Sequence, residues 1–440
     1  MDRRDFLKVA GLSAAAGSIG IAGCSRKSGD DAGQMTYRTN PGNGDKVSIL
    51  GYGCMRLPVI KDESGNNIID QEGVNRLFDH AIENGVNYFD TAPIYHGGES
   101  EKALGIALKR HPRQNYFVAT KLSNFKDWSY EAAMQMYRNS FEYLQTDYID
   151  YYLLHNIGKL EDFNRRFLDN GMIDFLLEER KAGRIRNLGF SFHGQKEGFD
   201  QLMALHDKYH WDFVLIQLNY MDWTHNSSRN TSARYLQGEL EKRGIPSMVM
   251  EPLLGGRLAK VPKHIADRLK ERDPQKSAAS WAFRFAGSPK GVLTVLSGMT
   301  YMEHLQDNLA TFSPHKPMTD SEMAFMDETA ELMEKYPLVG CTDCQYCMPC
   351  PYGIDISGIF LHYNRCVNEG FISGSPESEG YRKARRAYLV SYDRAIVKPG
   401  QADRCIGCNK CISKCPQGIN IPNEIHRIDR YIEDLRRNKF

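Results

Sequence analysis

Residues 86–95 read VNYFDTAPIY, and residues 148–155 read YIDYYLLH. In each stretch a short apolar run, rich in aromatic and branched side chains, leads to an ionisable residue. Buried parallel strands have this composition because helices cover both of their faces. Both stretches therefore predict strands of a parallel sheet, each with a polar group at its carboxyl end.

Similar runs recur over residues 46–312 and alternate with helix-length amphipathic segments. The predicted strands are Val47–Leu50, Val86–Phe89, Tyr116–Thr120, Tyr148–Leu154, Arg186–Phe190, Phe213–Leu218, Ser247–Met250 and Leu293–Leu296. The predicted helices include Glu72–Glu83, Glu101–Lys109, Tyr130–Tyr143, Met172–Lys181 and Ser232–Arg243. Eight strand–helix units in this length predict an α/β protein with a (β/α)8 TIM barrel. The alternative is a doubly wound open sheet, but residues 51–56 (GYGCMR) lack the G-x-G-x-x-G spacing of a dinucleotide-binding turn.

The composition is that of a globular chain of more than one domain. Of the 440 residues, 41% are hydrophobic and 25% charged, which excludes a disordered or fibrous protein. Lys and Arg number 56 against 55 Asp and Glu, a net charge of +1, so no nucleic-acid partner is expected. No apolar run approaches the ~18 residues of a transmembrane helix.

The N-terminus is predicted to be a signal for export. Arg3 and Arg4 precede a mild, uncharged stretch, so residues 1–23 resemble a twin-arginine signal peptide. This stretch ends in the residues IAGC, which look like a bacterial lipobox and would make Cys24 a lipid anchor. We therefore expect a periplasmic, membrane-anchored lipoprotein in which residues 24–45 are a flexible tether. The alternative is an ordinary N-terminal helix of a cytoplasmic protein.

Three predicted strands end near residues that suit carbonyl chemistry. These are Asp90, with Tyr95 five residues later, Lys121 and His155. Active sites of such barrels lie at the carboxyl ends of the strands, so we expect the four side chains to meet at one mouth. A tyrosine can protonate a carbonyl oxygen if a nearby ammonium such as Lys121 lowers its pKa. Asp90 would hold Lys121, and His155 would orient the substrate oxygen.

These motifs resemble the aldo-keto reductase family over residues 46–312. The resemblance rests on NYFDTAPIY, on the Lys121 and His155 strand ends, and on the later stretches LGFSFH and MEPLLGG. It implies reduction of an aldehyde or ketone by NAD(P)H, with Tyr95 as general acid, Lys121 and Asp90 as its activators and His155 as the substrate-orienting group.

The resemblance also implies a nicotinamide pocket, from which this sequence departs. The matching positions are Ser191, Gln217, Met250, Pro252, Leu253, Gly298, His304 and Asn308. Phe192 stands where an Asn usually follows the Ser, and Met250 stands where an aromatic residue usually stacks on the nicotinamide. Since no cation replaces the usual clamp on a 2′-phosphate, tight NADP-specific binding is not expected. A looser or NAD-tolerant pocket is the simpler interpretation.

The last hundred residues carry two cysteine runs. Each run has the close spacing of ligands to an iron–sulfur cluster, and the eight residues are Cys341, Cys344, Cys347, Cys350, Cys405, Cys408, Cys411 and Cys415. The second run has the bacterial ferredoxin spacing, whereas the first is one residue short before its fourth cysteine. A zinc site with four cysteines is the alternative.

In two-cluster ferredoxins the fourth cysteine of each run binds the other cluster. This exchange predicts one ligand set of Cys341, Cys344, Cys347 and Cys415, and a second of Cys405, Cys408, Cys411 and Cys350. Residues 341–440 are therefore predicted to be a mainly helical dicluster ferredoxin-like domain with helices at Gly358–Asn368 and Arg382–Tyr392, after a helical linker over 313–340. It is similar to the iron–sulfur branch of the aldo-keto reductases. Cys54 and Cys366 fit neither run and are expected to be buried apolar residues.

Together these features predict an exported aldo-keto reductase-type oxidoreductase acting on a carbonyl or alcohol, including sugar-like compounds. Two [4Fe–4S] clusters would exchange electrons with a membrane redox partner. Any nicotinamide would be loaded before export and retained, or replaced altogether. The alternatives are clusters that act as structural staples beside soluble NAD(P)H, and an electron-transfer or binding protein whose barrel is not catalytic.

Overall fold

The computed structural model describes residues 33–225, 230–334, 338–372 and 380–437. The predicted signal peptide and Cys24 lie outside these described residues. The strands among them are β1 (Tyr37–Thr39), β2 (Lys46–Ser48), β3 (Leu50–Gly53), β4 (Val59–Lys61), β5 (Asn67–Ile69), β6 (Tyr88–Asp90), β7 (Phe117–Leu122), β8 (Ile149–Ile157), β9 (Ile185–Phe192), β10 (Phe213–Gln217), β11 (Ser247–Met250) and β12 (Val292–Ser297). None of the described helices is long and apolar enough to cross a membrane.

The predicted barrel is confirmed. Eight parallel strands close in the order β3, β6, β7, β8, β9, β10, β11 and β12, and β12 pairs with β3. The first strand was predicted too early: the barrel begins at Leu50, not at Val47. Val47 belongs to β2, which pairs with β1 in an antiparallel hairpin. The apolar pattern does not distinguish these two strands, because only Ile49 separates β2 from β3.

The hairpin also corrects the predicted tether over residues 24–45. Tyr37 pairs with Ser48 and Thr39 with Lys46, so the end of that segment is folded. Arg38 donates hydrogen bonds to the carbonyl oxygens of Gly287 and Val292, which fix the hairpin to the barrel. The folded part of the chain therefore starts before residue 46.

Helices flank the barrel and build the C-terminal region. They are α1 (Gln71–Glu83), α2 (Ser100–Leu108), α3 (Tyr130–Leu144), α4 (Leu160–Phe163), α5 (Met172–Lys181), α6 (Lys196–Ala204), α7 (His206–Tyr209), α8 (Ala233–Arg243), α9 (Lys263–Arg272), α10 (Ala278–Gly287), α11 (Met302–Phe312), α12 (Asp320–Glu334), α13 (Ile356–Asn368), α14 (Tyr381–Ala395) and α15 (Ile421–Arg437). Polar caps set several starts: the Ser129 hydroxyl accepts from Ala132 N and the Ser232 hydroxyl from Tyr235 N. The helices predicted from sequence match to within about three residues at each end.

Separate apolar cores hold the two parts of the chain. One core fills the space between barrel strands and helices, and it includes Met326 and Met333 of α12. The predicted helical linker over 313–340 contains α12 (Asp320–Glu334), and that helix packs on the barrel. The C-terminal core gathers Ile359 of α13, Tyr388 of α14 and Ile425 of α15, and the cysteines pack around it. Cys54 and Cys366 are buried, as expected.

Candidate active site and iron–sulfur centre

Three neighbouring strands bring the predicted residues to one end of the barrel. Asp90 is the last residue of β6, and Lys121 and His155 lie near the ends of β7 and β8. These strands are adjacent and parallel, so their carboxyl ends share one face. Tyr95 opens the 3₁₀ turn that follows β6. The structure therefore brings all four predicted residues together.

Asp90 and Lys121 form a buried ion pair. Lys121 Nζ lies 2.6 Å from Asp90 Oδ1 and also donates to the carbonyl oxygen of Thr91 at 2.7 Å. The Lys121 side chain is 1% exposed and the Asp90 side chain is 5% exposed. Burial raises the pKa of Asp90, while the Lys121 charge opposes that rise. The two contacts fix the ammonium beneath the mouth of the barrel.

The Tyr95 ring lies between Lys121 and His155. Its centroid is 5.3 Å from Lys121 Nζ and 6.3 Å from the centroid of the His155 ring, which stands at 85° to it. The expectation of a lowered pKa is wrong for this arrangement. Burial raises the pKa of Tyr95 well above its usual value, and the charges of Asp90 and Glu251 add to the rise. The phenol is therefore protonated at neutral pH.

His155 is a neutral imidazole held by a partner that the sequence analysis missed. Its Nδ1 lies 2.6 Å from the hydroxyl oxygen of Ser123, which follows β7. Burial lowers the pKa of His155 well below its usual value, and the charges of Lys121 and Arg166 lower it further. Because Ser123 engages Nδ1, Nε2 is the nitrogen left to meet a substrate. In the sequence, the only indication of this contact is that Ser123 lies two residues after Lys121.

The two predicted ligands of a nicotinamide amide are already engaged within the protein. Ser191 Oγ accepts a hydrogen bond from the backbone N of Asn156 at 2.7 Å. Gln217 donates to Asp222 at 2.7 Å and accepts from Asn230 at 3.2 Å. These side chains lie at the barrel mouth as predicted, but their polar atoms bond to neighbouring protein groups.

The other predicted cofactor positions follow β11 and β12. Met250 ends β11, and Pro252 and Leu253 come next along the chain. After β12, Gly298 and His304 are exposed, while Asn308 is buried and donates to Ser297 at 2.9 Å.

A segment of the C-terminal region contacts the turn after β11 and, through Arg56, the loop after β3. A Cβ built on Gly255 would come within 2.3 Å of Thr342 Cβ, so the Thr342 side chain packs directly on the turn after β11. Arg56 Nη2 donates to the carbonyl oxygen of Thr342 at 2.6 Å. The stem of Arg56 also lies within 3.6 Å of a Cβ built on Gly298.

These contacts decide whether the loops suit a nicotinamide dinucleotide. Arg56 is a cation beside the loop after β12 that the sequence analysis missed, but its guanidinium is committed to Thr342. Ser191 Oγ accepts its hydrogen bond and therefore keeps its own hydrogen to donate, and the Gln217 amide nitrogen keeps a second hydrogen. These two side chains as placed therefore remain able to hold a nicotinamide amide.

Four sulfurs surround one cavity beside this segment. Cys341, Cys344, Cys347 and Cys415 all line this cavity. Burial raises the pKa of Cys347 to about 12, and the other three cysteines each contribute. Within the described residues no group of three or more ligand side chains converges closely enough for a single metal ion. The set and the space suit a larger group whose positive charge stabilises the thiolates.

The second set is grouped in the same way. Burial raises the pKa of Cys411, and the charges of Cys405, Cys408 and Cys350 raise it further. Cys350 comes from the first run and Cys415 from the second, so the predicted exchange of fourth ligands agrees with this placement. We call the group with Cys341 cluster site 1 and the group with Cys350 cluster site 2.

The two runs have matching backbones. Asp343 and Gly407, two residues after the first cysteine of each run, have φ of 53° and 69°. Gln345 and Asn409, one residue after the second cysteine, have φ of 60° and 62°. Each run ends in Cys-Pro-x-Gly, in which the glycine N donates to the cysteine carbonyl. The one-residue deletion in the first run therefore leaves the turns equivalent.

Two charged side chains lie between the barrel and cluster site 1. Arg257 is half-buried, and its buried Nε has no hydrogen-bond partner among the described residues. Burial lowers the pKa of Arg257, and the charges of Asp222 and Cys341 oppose this effect. The charge of Glu251 raises the pKa of both Tyr95 and Cys344. Glu251 therefore lies within electrostatic range of both Tyr95 and Cys344.

Two family descriptions match this chain. Residues 50–331 match the aldo/keto reductase family, and residues 340–420 match a 4Fe-4S dicluster domain. The second match decides against a zinc site in the C-terminal region. The first covers most of the barrel and α12.

Individual relatives agree with the family. The chain is 27% identical over 320 residues to an L-galactose dehydrogenase of Arabidopsis thaliana, which covers 67% of this chain and 92% of that protein. It is 34% identical over 151 residues to a glyoxal reductase of Bacillus subtilis, which covers 34% of this chain and 47% of that one.

Solved structures share the barrel. An aldo-keto reductase from Bacillus halodurans, in its holo form, aligns with a TM-score of 0.53 at 24% identity over 67% of this chain and 96% of that chain. An aldo/keto reductase from Klebsiella pneumoniae in complex with NADP and acetate aligns with a TM-score of 0.53 at 20% identity over 69% of this chain and 97% of that one. At these identities the alignments show the fold alone. From the match over residues 50–331, this chain belongs to the aldo/keto reductase family of oxidoreductases and carries a 4Fe-4S dicluster domain after its barrel.

Proposed function

We propose that the barrel interconverts a carbonyl compound and its alcohol, and that iron–sulfur clusters carry the electrons. The observation that supports this most strongly is the position of Tyr95, between Lys121 and His155. A small molecule reaching the barrel mouth would meet a proton donor and a neutral imidazole together. This arrangement suits a reaction that moves protons at an oxygen atom.

In the reduction direction Tyr95 donates its proton to the carbonyl oxygen. The phenol is protonated at neutral pH, and the Lys121 ammonium stabilises the phenolate left behind. Asp90 keeps that ammonium charged and in place. Nε2 of His155 bonds the same substrate oxygen, because Ser123 occupies Nδ1. In the oxidation direction each proton moves the other way.

The interconversion moves two electrons, the proton at the oxygen and a hydrogen at the carbon. A hydride donor bound at the barrel mouth would supply the hydrogen at the carbon. Two [4Fe–4S] clusters carrying one electron each would, with a proton from solvent, regenerate that donor. Cluster site 1 would be the inner one, because its Thr342 packs against the loop after β11. Cluster site 2 would be the outer one.

The substrate class is proposed from the site and from one relative. A buried tyrosine–histidine pair suits a neutral hydroxyl or carbonyl group. The similarity to an L-galactose dehydrogenase supports placing aldoses and sugar alcohols first among the compounds to test.

We also propose that the protein is exported folded and anchored by lipid at Cys24. The Arg3–Arg4 pair and the following IAGC stretch support this. A route that carries folded proteins suits a chain that must receive its clusters before it crosses the membrane. Changing both arginines to lysine should hold the protein in the cytoplasm. The Cys24→Ala variant should instead be exported but soluble, and membrane retention of either variant would contradict the corresponding part.

The function is tested by turnover of a panel of carbonyl compounds and sugars with a reduced low-potential dye as the electron source. The Tyr95→Phe variant should lose activity by 10² to 10⁴-fold, the usual contribution of a positioned proton donor. Tyr130→Phe, at an exposed tyrosine of α3, is the matched control and should behave as the parent. Equal turnover by Tyr95→Phe and the parent would favour a barrel that binds without catalysing.

A further inference from the structure

The C-terminal region carries a basic groove away from the barrel mouth. Helices α13 and α14 form its walls, and its volume is about 960 Å³. Its cationic lining residues are Arg365, Arg382, Lys383, Arg386 and Arg394. No acidic side chain is among its described lining residues. Because the whole chain has a net charge of only +1, this concentration of charge is local.

The arrangement along α14 costs stability. Arg382, Arg386, Val390 and Arg394 are spaced four residues apart, so they form one row along the helix, about 18 Å long. Like charges at this spacing destabilise a helix. Among the described residues, none of these arginines forms a salt bridge or a side-chain hydrogen bond. By contrast, Arg385 on another face of α14 donates to the carbonyl oxygens of Leu435 and Arg436, so its role is structural.

One end of the groove leads to cluster site 2. Arg394 is followed by the turn Lys398–Gly400, and the Gly400 carbonyl oxygen accepts from Asp355 N at 3.0 Å. Asp355 lies five residues after Cys350, a ligand of that site. Two large apolar side chains of this region are exposed: Val397, three residues after Arg394, is 70% exposed, and Ile406, next to Cys405, is 62% exposed. A cationic row on a helix whose end is hydrogen-bonded toward a redox centre, in a region with exposed apolar side chains, is suited to docking a protein.

We propose that this groove docks an acidic electron-carrier protein that exchanges electrons with the cluster at site 2. The proposal rests on the relay described under the proposed function and adds the chemistry of the partner. The concave shape and straight row fit an acidic helix or edge segment. A surface that binds membranes would instead present aromatic side chains for insertion, and no described residue lining the groove is aromatic.

The test is reduction of the clusters in the anaerobic holoprotein by a reduced plant-type ferredoxin, an acidic carrier of low potential, followed by stopped flow. The Arg382→Glu, Arg386→Glu double variant should lower the second-order rate constant at least tenfold at low salt. The difference should shrink at high salt, because screening weakens steering between charges. Lys61→Glu with Arg138→Glu, at exposed barrel positions, changes the net charge equally and should match the parent.

Two further measurements keep the result unambiguous. Reduction by dithionite should have the same amplitude in every variant, which would show that the clusters are intact. Arg386→Lys keeps the positive charge, so its rate constant with ferredoxin should equal that of the parent. Equal ferredoxin rate constants for parent and double variant would overturn the proposal. So would loss of binding to phosphatidylglycerol vesicles with an unchanged ferredoxin rate, since the groove would then serve a membrane. Because no substrate is present, failure of the barrel chemistry would leave this test unaffected.

Discussion

Arg56 Nη2 donates a hydrogen bond of 2.6 Å to the carbonyl oxygen of Thr342, which joins the first loop of the barrel to the ligand segment of cluster site 1. Thr342 also packs on Gly255, so one residue beside Cys341 contacts two loops of the barrel mouth. A structural staple remote from the mouth would need neither contact. The joint therefore favours clusters that act together with the barrel.

The first prediction tests this joint. Gly255→Ala would place a methyl group 2.3 Å from Thr342 Cβ, at a backbone with φ of 68°. The substitution should push Thr342 away from the turn after β11. We expect dye-driven turnover to fall at least tenfold, with about 1–3 kcal/mol lost from the free energy of unfolding. Gly256→Ala is the control, because its φ of 98° carries similar backbone strain while its Cβ meets no atom within 4 Å. Equal losses of turnover in both variants would show that the contact with Thr342 is unimportant.

The second prediction concerns the buried pair of Asp90 and Lys121. Asp90→Asn removes the counter-charge of a buried ammonium and leaves it only uncharged acceptors such as the Thr91 carbonyl oxygen, so the protein should lose about 3–5 kcal/mol in urea unfolding. Adding Lys121→Met should recover most of that loss without restoring turnover. If the double variant were less stable than Asp90→Asn, the cost would not come from an unpaired charge.

The third prediction tests the exchange of fourth ligands. The parent should contain about eight iron and eight sulfide per chain. Cys415→Ser should disturb the cluster of Cys341, although Cys415 belongs to the other run, and Cys350→Ser should disturb the cluster of Cys405. Spectroscopy of Cys415→Ser should then show an intact cluster at site 2, and spectroscopy of Cys350→Ser should show an intact cluster at site 1. Cys366→Ser, outside both sets, should keep all the iron; four iron in the parent would contradict the dicluster assignment.

The fourth prediction concerns the half-buried Arg257 beside Cys341. A reduced cluster carries one more negative charge, which the guanidinium stabilises. Arg257→Met should therefore lower the reduction potential at cluster site 1 on the order of 50 mV. Arg257→Lys should recover part of the shift, and the potential at cluster site 2 should stay unchanged. A shift of both potentials by the same amount would indicate a general loss of packing.

The fifth prediction concerns pH and stability. Burial lowers the pKa of His315 to about 4, and its Nε2 donates to the Gly287 carbonyl oxygen at 3.1 Å. In the unfolded chain the group titrates near 6.5, so its contribution is present above that pH and is lost as pH falls from 6.5 toward 4. The loss should amount to about 3 kcal/mol at most. His315→Gln should flatten this part of the stability profile, while the exposed His304→Gln should leave it unchanged.

Much of this structure could be predicted from the sequence, for identifiable reasons. Strands such as Ser247–Met250 and helices such as Met172–Lys181 have strong local patterns and were predicted with their observed bounds. The positions of Asp90 and Lys121 followed from the rule that strand ends converge. The hairpin of β1 and β2 was missed because its pairing is set by contacts with Gly287 and Val292, far along the chain.

The missed parts of the site depend on contacts between distant segments. The approach of Thr342 to Gly255 joins the barrel to a region that begins after α12, and no spacing rule encodes it. The raised pKa of Tyr95 follows from burial and from Glu251, which a motif centred on Lys121 does not reveal. The cysteine sets were predictable because ligand spacing is local and its chemistry is restrictive.

The most direct test of the central claim compares electron sources for the purified anaerobic enzyme. Steady-state turnover is measured with a reduced low-potential dye and, separately, with added NADH or NADPH, in the parent and in Cys344→Ser and Cys405→Ser. The account predicts turnover with the dye, loss of that turnover in both cysteine variants, and no turnover sustained by free NADH or NADPH. A KM for free NADPH in the micromolar range, with a folded Cys405→Ser variant as active as the parent, would contradict it.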